Sequence, residues 1–320
     1  MYKGIWLPLV TPFREGTVDV AALEALTERS VDSGIAGLVA LGTTGEAALL
    51  DRSERSTVMQ AITEVVAGRI PVIAGVGGID TADFVDEIHR LEVWDLAGYL
   101  VSAPAYLCPN QAGLLWHFTQ TAQVTGRDIV LYDVPHRTGV GIFAETVSEL
   151  IRIPNIKAIK AIKACARERF DAFGALPIAM LCGNDDAFLD CLRAGATGGI
   201  LASAHVCADL LAHVQQLFNA GQAEEATQLF AHLEPVLRLL FAAPNPSAIK
   251  AMMSLDASLR AETRMPITPA DETLVRRLAA ARIELDELRA LIGQPQPPAQ
   301  QAAHALLRRL RQPATRQHRP

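Results

Sequence analysis

Short apolar runs alternate with longer amphipathic stretches through roughly the first 200 residues of the chain. The apolar runs are typical of strands that are buried on both faces, and the stretches between them have the three-to-four-residue apolar period of helices. The pattern predicts eight strands, at 4–10, 37–41, 71–74, 98–102, 129–132, 156–160, 178–182 and 199–202. It predicts intervening helices at 20–33, 53–67, 81–93, 112–125, 144–152 and 185–194.

Eight strands, each followed by a helix, predict an α/β fold in which a parallel sheet closes into a (β/α)8 barrel, the TIM barrel. A doubly wound open sheet is the rival architecture. It would have fewer strands and a glycine-rich phosphate turn after the first one. The first strand here ends in Val10-Thr11-Pro12-Phe13, without a GxGxxG sequence, which favours the barrel.

Beyond residue 205 the pattern is helical only. Further helices are predicted at 206–219, 222–242, 245–255 and 271–291. We therefore expect a barrel at 1–220 and a C-terminal helical region at 221–292. Residues 293–320 combine a Pro/Gln-rich linker with an arginine-rich end that lacks acidic residues, and this tail is expected to be disordered.

Composition excludes several classes of protein. The 29 basic and 35 acidic residues give a formal charge of −6, which does not favour nucleic-acid binding. There is no apolar run long enough to span a membrane and no signal peptide, so a cytoplasmic protein is expected. The five cysteines form no CxxC pair and are expected to be reduced. Neither HxH nor HExxH spacing occurs, so no metal is assigned, and the absence of GxSxG argues against serine hydrolysis.

Lys160 lies at the end of the apolar run 156–160. A lysine at a buried strand end is costly unless it has a chemical task. Burial disfavours the ammonium form, and a neutral amine is a nucleophile that forms a Schiff base with a carbonyl compound. The structural alternative is a side chain that extends past the strand end into water.

Several other polar side chains follow predicted strands and are expected at the same mouth of the barrel, where the active sites of such barrels lie. Taken singly, each has a structural explanation, such as helix capping for the threonines, a core position for the tyrosine at 132, a surface position for the arginine, and loop anchoring for Glu46. Their convergence with Lys160 is the stronger signal. The convergent residues are Thr43, Thr44, Tyr106, Tyr132 and Arg137.

In these motifs the chain resembles the dihydrodipicolinate synthase / N-acetylneuraminate lyase family of pyruvate-dependent class I aldolases. The similarity extends from about residue 4 to residue 289. It is carried by Val10-Thr11-Pro12-Phe13, 42–46, 71–75, 132–139, 183–186, Pro244-Asn245-Pro246 and 265–269.

The resemblance implies a mechanism without an external cofactor. Lys160 would form an imine with pyruvate, and Tyr132 would move protons with help from Thr43 and from Tyr106 of a neighbouring subunit. Thr43 and Thr44 would hold the pyruvate carboxylate. The enamine formed from the imine would attack an aldehyde. The resemblance also places Gly183 and Ile200 in the substrate-binding site.

Arg137 bears on the second substrate. The sequence Pro135-His136-Arg137-Thr138-Gly139 resembles that of family members that use L-aspartate 4-semialdehyde, whose carboxylate the guanidinium would bind. This implies the first committed step of diaminopimelate and lysine biosynthesis. The family also implies a homotetramer built as a dimer of dimers. Two alternatives stay open: another pyruvate-dependent aldolase acting on a sugar acid or hydroxy-keto acid, and a non-catalytic barrel used for binding.

The chain departs from the family pattern in two places. The lysine is followed by Ala161-Ile162-Lys163-Ala164-Cys165, where the family has acidic or small polar residues, and Lys163 repeats the local sequence around Lys160. Lys160 is favoured because it lies 28 residues after Tyr132 and 23 before Gly183. Ile79 and Ala105 occupy places where lysine-inhibited relatives have polar residues, so weak or absent inhibition by lysine is expected.

Overall fold

A computed structural model describes residues 2–161 and 172–293 of the chain. Within them, eight parallel strands form a closed barrel in which β1 (Gly4–Pro8) pairs with both β4 (Gly37–Ala40) and β10 (Gly198–Ile200), so the sheet has no free edge. The (β/α)8 prediction is therefore confirmed and the open-sheet alternative is wrong. The barrel strands are β1 Gly4–Pro8, β4 Gly37–Ala40, β5 Val72–Val76, β6 Gly98–Ser102, β7 Asp128–Asp133, β8 Ile156–Ala161, β9 Ala179–Cys182 and β10 Gly198–Ile200.

The strands are buried on both faces because they contribute to two separate apolar cores. One set of side chains fills the barrel interior, and a much larger set packs between the strands and the surrounding helices. At the base of the interior, Tyr2 stacks on Trp6 with 5.4 Å between ring centroids. A Cβ atom at Gly37 would lie 2.5 Å from the Trp6 ring, so only glycine leaves room for this indole. The barrel interior is therefore filled by side chains at this end.

The helices lie where the amphipathic stretches predicted them, with ends within about three residues. Several begin at an Asp or Asn whose side chain accepts a backbone N–H hydrogen bond, as at Asp19, Asp51 and Asn110. Their bounds are α1 Val20–Asp32, α2 Arg52–Val66, α3 Thr81–Leu91, α4 Gln111–Gln123, α5 Pro135–Thr138, α6 Ala144–Leu150, α7 Phe188–Arg193, α8 Ala204–Asn219, α9 Ala223–Leu239, α10 Ser247–Ser254 and α11 Glu272–Leu291.

The short elements that were not predicted include the hairpin of β2 Phe13–Arg14 and β3 Thr17–Val18, and α5. Neither is long enough to show a hydrophobic period. Helix α5 is instead specified by its ends, because Pro135 occupies its first turn and Gly139 ends it with φ +78°.

Buried ion pairs join the C-terminal helices to the rest of the fold. The Arg289 side chain on α11 donates to Asp209 on α8 at 2.7 Å and to Asp286 at 3.1 Å. Lys250 on α10 donates to Glu46 at 2.5 Å, and both side chains are fully buried. The Arg289–Asp209 pair therefore holds α11 against α8, and the Lys250–Glu46 pair holds α10 against the barrel end that contains Glu46.

Some predictions fall on other parts of the chain. Lys163, Cys165 and the tail at 294–320 lie outside the described residues. In the described part, none of the helices combines the length and the hydropathy that crossing a membrane requires.

Candidate active site

A cavity of about 320 Å³ opens at the carboxyl ends of the barrel strands. Seven of the eight predicted site residues line this cavity, and Tyr106 does not. Its wall contains Pro8, Thr43, Thr44, Tyr132, Val134, His136, Arg137, Lys160, Gly183, Asn184, Asp185, Asp186, Ile200, Ala202, Arg238, Phe241 and Asn245.

Lys160 projects into the cavity from β8, in register with Tyr132 on β7 and Leu181 on β9. Burial lowers the pKa of its ammonium to about 8, while Asp185 acts in the opposite direction and Arg137 reinforces the shift. At pH 7 about one Lys160 side chain in ten is then neutral, against about one in three thousand for an ordinary lysine. This side chain therefore meets the first requirement of a Schiff-base nucleophile.

Tyr132 lies beside this amine. The Lys160 Nζ is 5.2 Å from the centroid of the Tyr132 ring, and the tyrosine Oη is 3.3 Å from Thr43 Oγ1. Burial raises the pKa of the phenol, against smaller opposing effects of Thr43 and Arg137. The phenol consequently keeps its proton near neutral pH. With Tyr132 placed between Thr43 and Lys160, the two hydroxyl groups can relay a proton between the loop after β4 and the amine.

The loop at 42–46 carries the two threonines. Thr44 is buried, and its Oγ1 accepts a hydrogen bond of 2.9 Å from Asn245 Nδ2. Glu46 has φ +54° and does not line the cavity. Its carboxylate accepts from Lys250 at 2.5 Å and from the Arg264 backbone N–H at 2.9 Å. These contacts favour the anchoring role of Glu46 over a catalytic one.

Helix α5 brings Arg137 and His136 to the wall of the cavity. Burial, Arg137 and Lys160 all lower the pKa of His136. The imidazole is therefore neutral at pH 7, and Arg137 is the cation that this helix contributes.

The loop after β9 supplies polar groups that the sequence interpretation had treated as a helix start. Asp185 Oδ1 accepts a hydrogen bond of 2.7 Å from the Ser203 backbone N–H, and burial raises the pKa of this carboxyl to about 6. Asn184 and Asp186 also face the cavity. Their position directly after a predicted strand was the signal that could have identified them.

Three further lining residues come from the C-terminal region. Arg238 lies on α9, and Phe241 and Asn245 lie between α9 and α10. Arg238 and Phe241 belong to no strand-end pattern, so the sequence offered no signal for them. Asn245 did have a sequence signal, because it lies in the motif Pro244-Asn245-Pro246.

Tyr106 lies on the surface. Its side chain is 86% exposed, its backbone has φ +71°, and the preceding residue Ala105 donates a backbone hydrogen bond of 2.9 Å to Gly78. Ile79 and Leu107, next to it in the two joined loops, are 51% and 58% exposed. Within one subunit, this tyrosine does not take part in the cavity.

The described part of the chain contains no group of three or more His, Cys, Asp or Glu side chains that could hold a metal ion. Two histidines, the buried His117 and the half-buried His205, have structural roles. His117 bonds to Thr81 at 2.9 Å, and His205 accepts from the Val10 backbone N–H at 3.1 Å. Burial lowers both pKa values to about 4, so both rings are neutral at pH 7.

Comparisons with known proteins agree with this geometry. The family model described as "Dihydrodipicolinate synthetase family" matches residues 1–283. A 4-hydroxy-tetrahydrodipicolinate synthase of Hyphomonas neptunium is 36% identical over 298 residues, covering 92% of this chain and 99% of its own. The solved 4-hydroxy-tetrahydrodipicolinate synthase of Methylacidiphilum fumariolicum SolV superposes with a TM-score of 0.87 at 30% identity, covering 92% of this chain and 99% of its own. A monomeric dihydrodipicolinate synthase variant superposes with a TM-score of 0.86 at 30% identity, covering 89% and 97%.

Proposed function

The chain belongs to the dihydrodipicolinate synthetase family, and we propose that it is a 4-hydroxy-tetrahydrodipicolinate synthase that condenses pyruvate with L-aspartate 4-semialdehyde. The observation that carries this proposal is Lys160, a half-buried lysine whose pKa is lowered to about 8, facing a cavity that also contains Tyr132 and Thr43. The reaction would be the first committed step of diaminopimelate and lysine biosynthesis.

The first chemical step is imine formation. The neutral Lys160 amine attacks the keto carbon of pyruvate, and the resulting carbinolamine loses water. Tyr132 gives a proton to the departing hydroxyl, and Thr43 relays a replacement proton from solvent to the phenol across the 3.3 Å contact. A proton then passes from the pyruvate methyl group to water in the cavity, and the resulting enamine attacks the aldehyde carbon. The amino group of the aldehyde finally adds to the imine carbon, which closes the ring and releases the Lys160 amine. The catalysis needs no external cofactor because the lysine itself carries the substrate.

The two carboxylates of the substrates are assigned to different groups. Thr43 and Thr44 receive the pyruvate carboxylate, and Asn245 orients the Thr44 hydroxyl through its 2.9 Å hydrogen bond. Gly183 and Ile200 complete the wall around the substrates. Arg137 offers a planar guanidinium to the carboxylate of the incoming aldehyde.

Borohydride reduction in the presence of pyruvate tests the mechanism. We expect one pyruvate-derived adduct, which peptide mass spectrometry should place on Lys160. An adduct on Lys163 would reassign the nucleophile, and folded protein without any adduct would favour the non-catalytic alternative. Turnover with sugar-acid aldehydes, but not with L-aspartate 4-semialdehyde, would favour the other pyruvate aldolases.

Assembly is part of the proposal. We infer a homotetramer built as a dimer of dimers, in which Tyr106 enters the cavity of a neighbouring subunit. The exposed side chains of Ile79, Tyr106 and Leu107 support this, because an apolar patch of this kind is a feature of protein interfaces. Sedimentation velocity measures the assembly. Restored activity on mixing Tyr106→Phe with a Lys160→Ala variant would show that the tyrosine acts across subunits.

Three further expectations belong to the same proposal. The domain limits at 220 and 292 stay predictions, as does weak or absent inhibition by lysine. A cytoplasmic location is supported by the four described cysteines, which are free thiols, three of them buried.

A further inference from the structure

The loop after β9 lies beside the nucleophile. Strand β9 pairs with β8, and the Gly183 backbone N–H donates to the Ala161 carbonyl at 2.8 Å, directly after Lys160. Asn184 and Asp186 extend from this loop into the cavity wall. Their side chains have no task in the imine chemistry described above.

Asn184 contributes an acceptor that lacks a donor. Its Oδ1 atom is buried and has no hydrogen-bond partner among the described residues. A buried carbonyl oxygen without a donor is unfavourable, and such atoms in native proteins call for an explanation. Because this residue lines the cavity, a bound molecule that carries an N–H or O–H group can supply the missing hydrogen bond.

Among the described residues, Asp186 contributes a charge that is only weakly compensated. Its side chain is 42% exposed, and its carboxylate lies 3.9 Å from the Arg238 Nε, at the limit of ion-pair distance. Arg238 also donates to Glu234 at 2.5 Å, so its charge is shared. The neighbouring Asp185 differs because Ser203 already occupies one of its oxygens at 2.7 Å. The oxygens of Asp186 are therefore available to a cation in the cavity.

The cavity thus offers opposite charges to one ligand. Arg137 on α5 suits a carboxylate, and the Asn184–Asp186 loop suits a donor that carries positive charge. We propose that Asn184 and Asp186 form an ammonium subsite that selects an α-amino aldehyde over the same aldehyde without its amino group. This inference rests on the proposed function and adds two specificity-determining residues to it.

Ligand binding tests the subsite without depending on turnover. The probes are L-homoserine, which carries a hydroxyl in place of the aldehyde, and 4-hydroxybutanoate, which also lacks the ammonium group. Calorimetry is performed on the full-length protein after borohydride has fixed pyruvate on the lysine. We expect L-homoserine to bind the unsubstituted protein about tenfold more tightly than 4-hydroxybutanoate.

Substitutions assign the preference to named groups. Asp186→Asn should lower the affinity for L-homoserine about tenfold and change the affinity for 4-hydroxybutanoate by less than about twofold. Asn184→Leu should lower the affinity for L-homoserine as well. Asp186→Glu keeps the charge and should keep most of the preference. Asp190→Asn is the matched control, because this acid lies four residues further on, outside the cavity, and pairs with Arg193.

Two results would overturn the subsite. One is that the unsubstituted protein binds both probes with equal affinity. The other is that Asp186→Asn lowers the affinity for both probes equally, as expected if Asp186 only has a structural role through Arg238. The proposed function fails separately, if borohydride leaves no adduct or the amino aldehyde is not turned over. If borohydride leaves no adduct, the affinities of the untreated protein for the same two probes are compared. The preference for L-homoserine over 4-hydroxybutanoate still decides whether the subsite exists.

Discussion

Lys160 and Lys250 are two lysines in which burial lowers the pKa to about 8, and their surroundings give them different tasks. Lys250 is sealed from solvent, donates to Glu46 at 2.5 Å and to the Glu262 carbonyl at 2.9 Å, and lies 4.2 Å from the centre of the Phe13 ring. Lys160 faces an open cavity and has the ring of Tyr132 at 5.2 Å. A lowered pKa alone therefore does not identify a nucleophile. Access to the substrate and a proton relay do so.

Removing the Lys160 amine should have the largest effect on catalysis. Lys160→Ala is expected to lower kcat by at least about 10⁴-fold and to abolish the pyruvate adduct, because the nucleophile is gone. Steady-state kinetics and intact mass measure the two effects. Lys157→Ala is the matched control, since this exposed lysine lies on the same strand. An adduct that persists in the Lys160 variant would refute the assignment.

Removing the Lys250 amine should instead reduce stability. Lys250→Met leaves the Glu46 carboxylate buried without its partner, which is expected to cost about 3–5 kcal/mol of unfolding free energy. Urea denaturation measures this cost. A double variant with Glu46→Gln should recover much of the lost unfolding free energy, because the unpaired buried carboxylate is removed. If Lys250→Met unfolded at the same urea concentration as the unsubstituted protein, the ion pair would not have the structural role assigned to it.

The neighbouring Tyr132 hydroxyl is a second difference between the surroundings of Lys160 and Lys250. Tyr132→Phe should slow imine formation about 10²-fold, because the phenol is the proton donor next to the amine. Rapid-quench borohydride trapping measures this rate. Tyr99→Phe is a suitable control, since Tyr99 is also a buried tyrosine on a strand but bonds to Glu92, away from the cavity. Equal slowing in both variants would point to a loss of packing instead of a loss of proton transfer.

The smallest expected effect is on pH dependence. Only the neutral amine attacks pyruvate, so the trapping rate should rise with pH and level off above about pH 8, the pKa of Lys160. Arg137 helps to lower that pKa, so Arg137→Gln should favour the ammonium form and move the midpoint upward by a few tenths of a pH unit. A downward shift would contradict the assigned direction.

The barrel could be predicted from the sequence because its strands are buried on both faces and therefore appear as continuous apolar runs. The same regularity predicted much of the cavity. Parallel strands end at one mouth, so Thr43, Tyr132 and Lys160 had to converge once the strands were identified, and the structure places all three in one wall.

The rest of the site depends on contacts that no local pattern specifies. Lys250 lies in the ordinary helical sequence of α10, and its burial becomes evident only from its contact with Glu46, which lies 204 residues earlier in the chain. Arg238 belongs to an amphipathic helix whose period does not show which turn reaches the cavity. Helix α5 is too short to have a period, although its proline and glycine mark its two ends.

The two hydrogen bonds that join the loop at 42–46 to the C-terminal region also determine when this loop can be completed during synthesis of the chain. Glu46 and Lys250 are 204 residues apart, and Thr44 and Asn245 are 201 apart. At about 5–20 residues per second, a ribosome needs roughly 10–40 s to make the chain between the two partners. Throughout that interval the Glu46 carboxylate has no lysine to neutralise it and the Thr44 hydroxyl has no amide to orient it. The nascent barrel therefore lacks part of its proposed site until its last quarter has left the ribosome, and the proposed binding site for pyruvate would be among the last features of the fold to form.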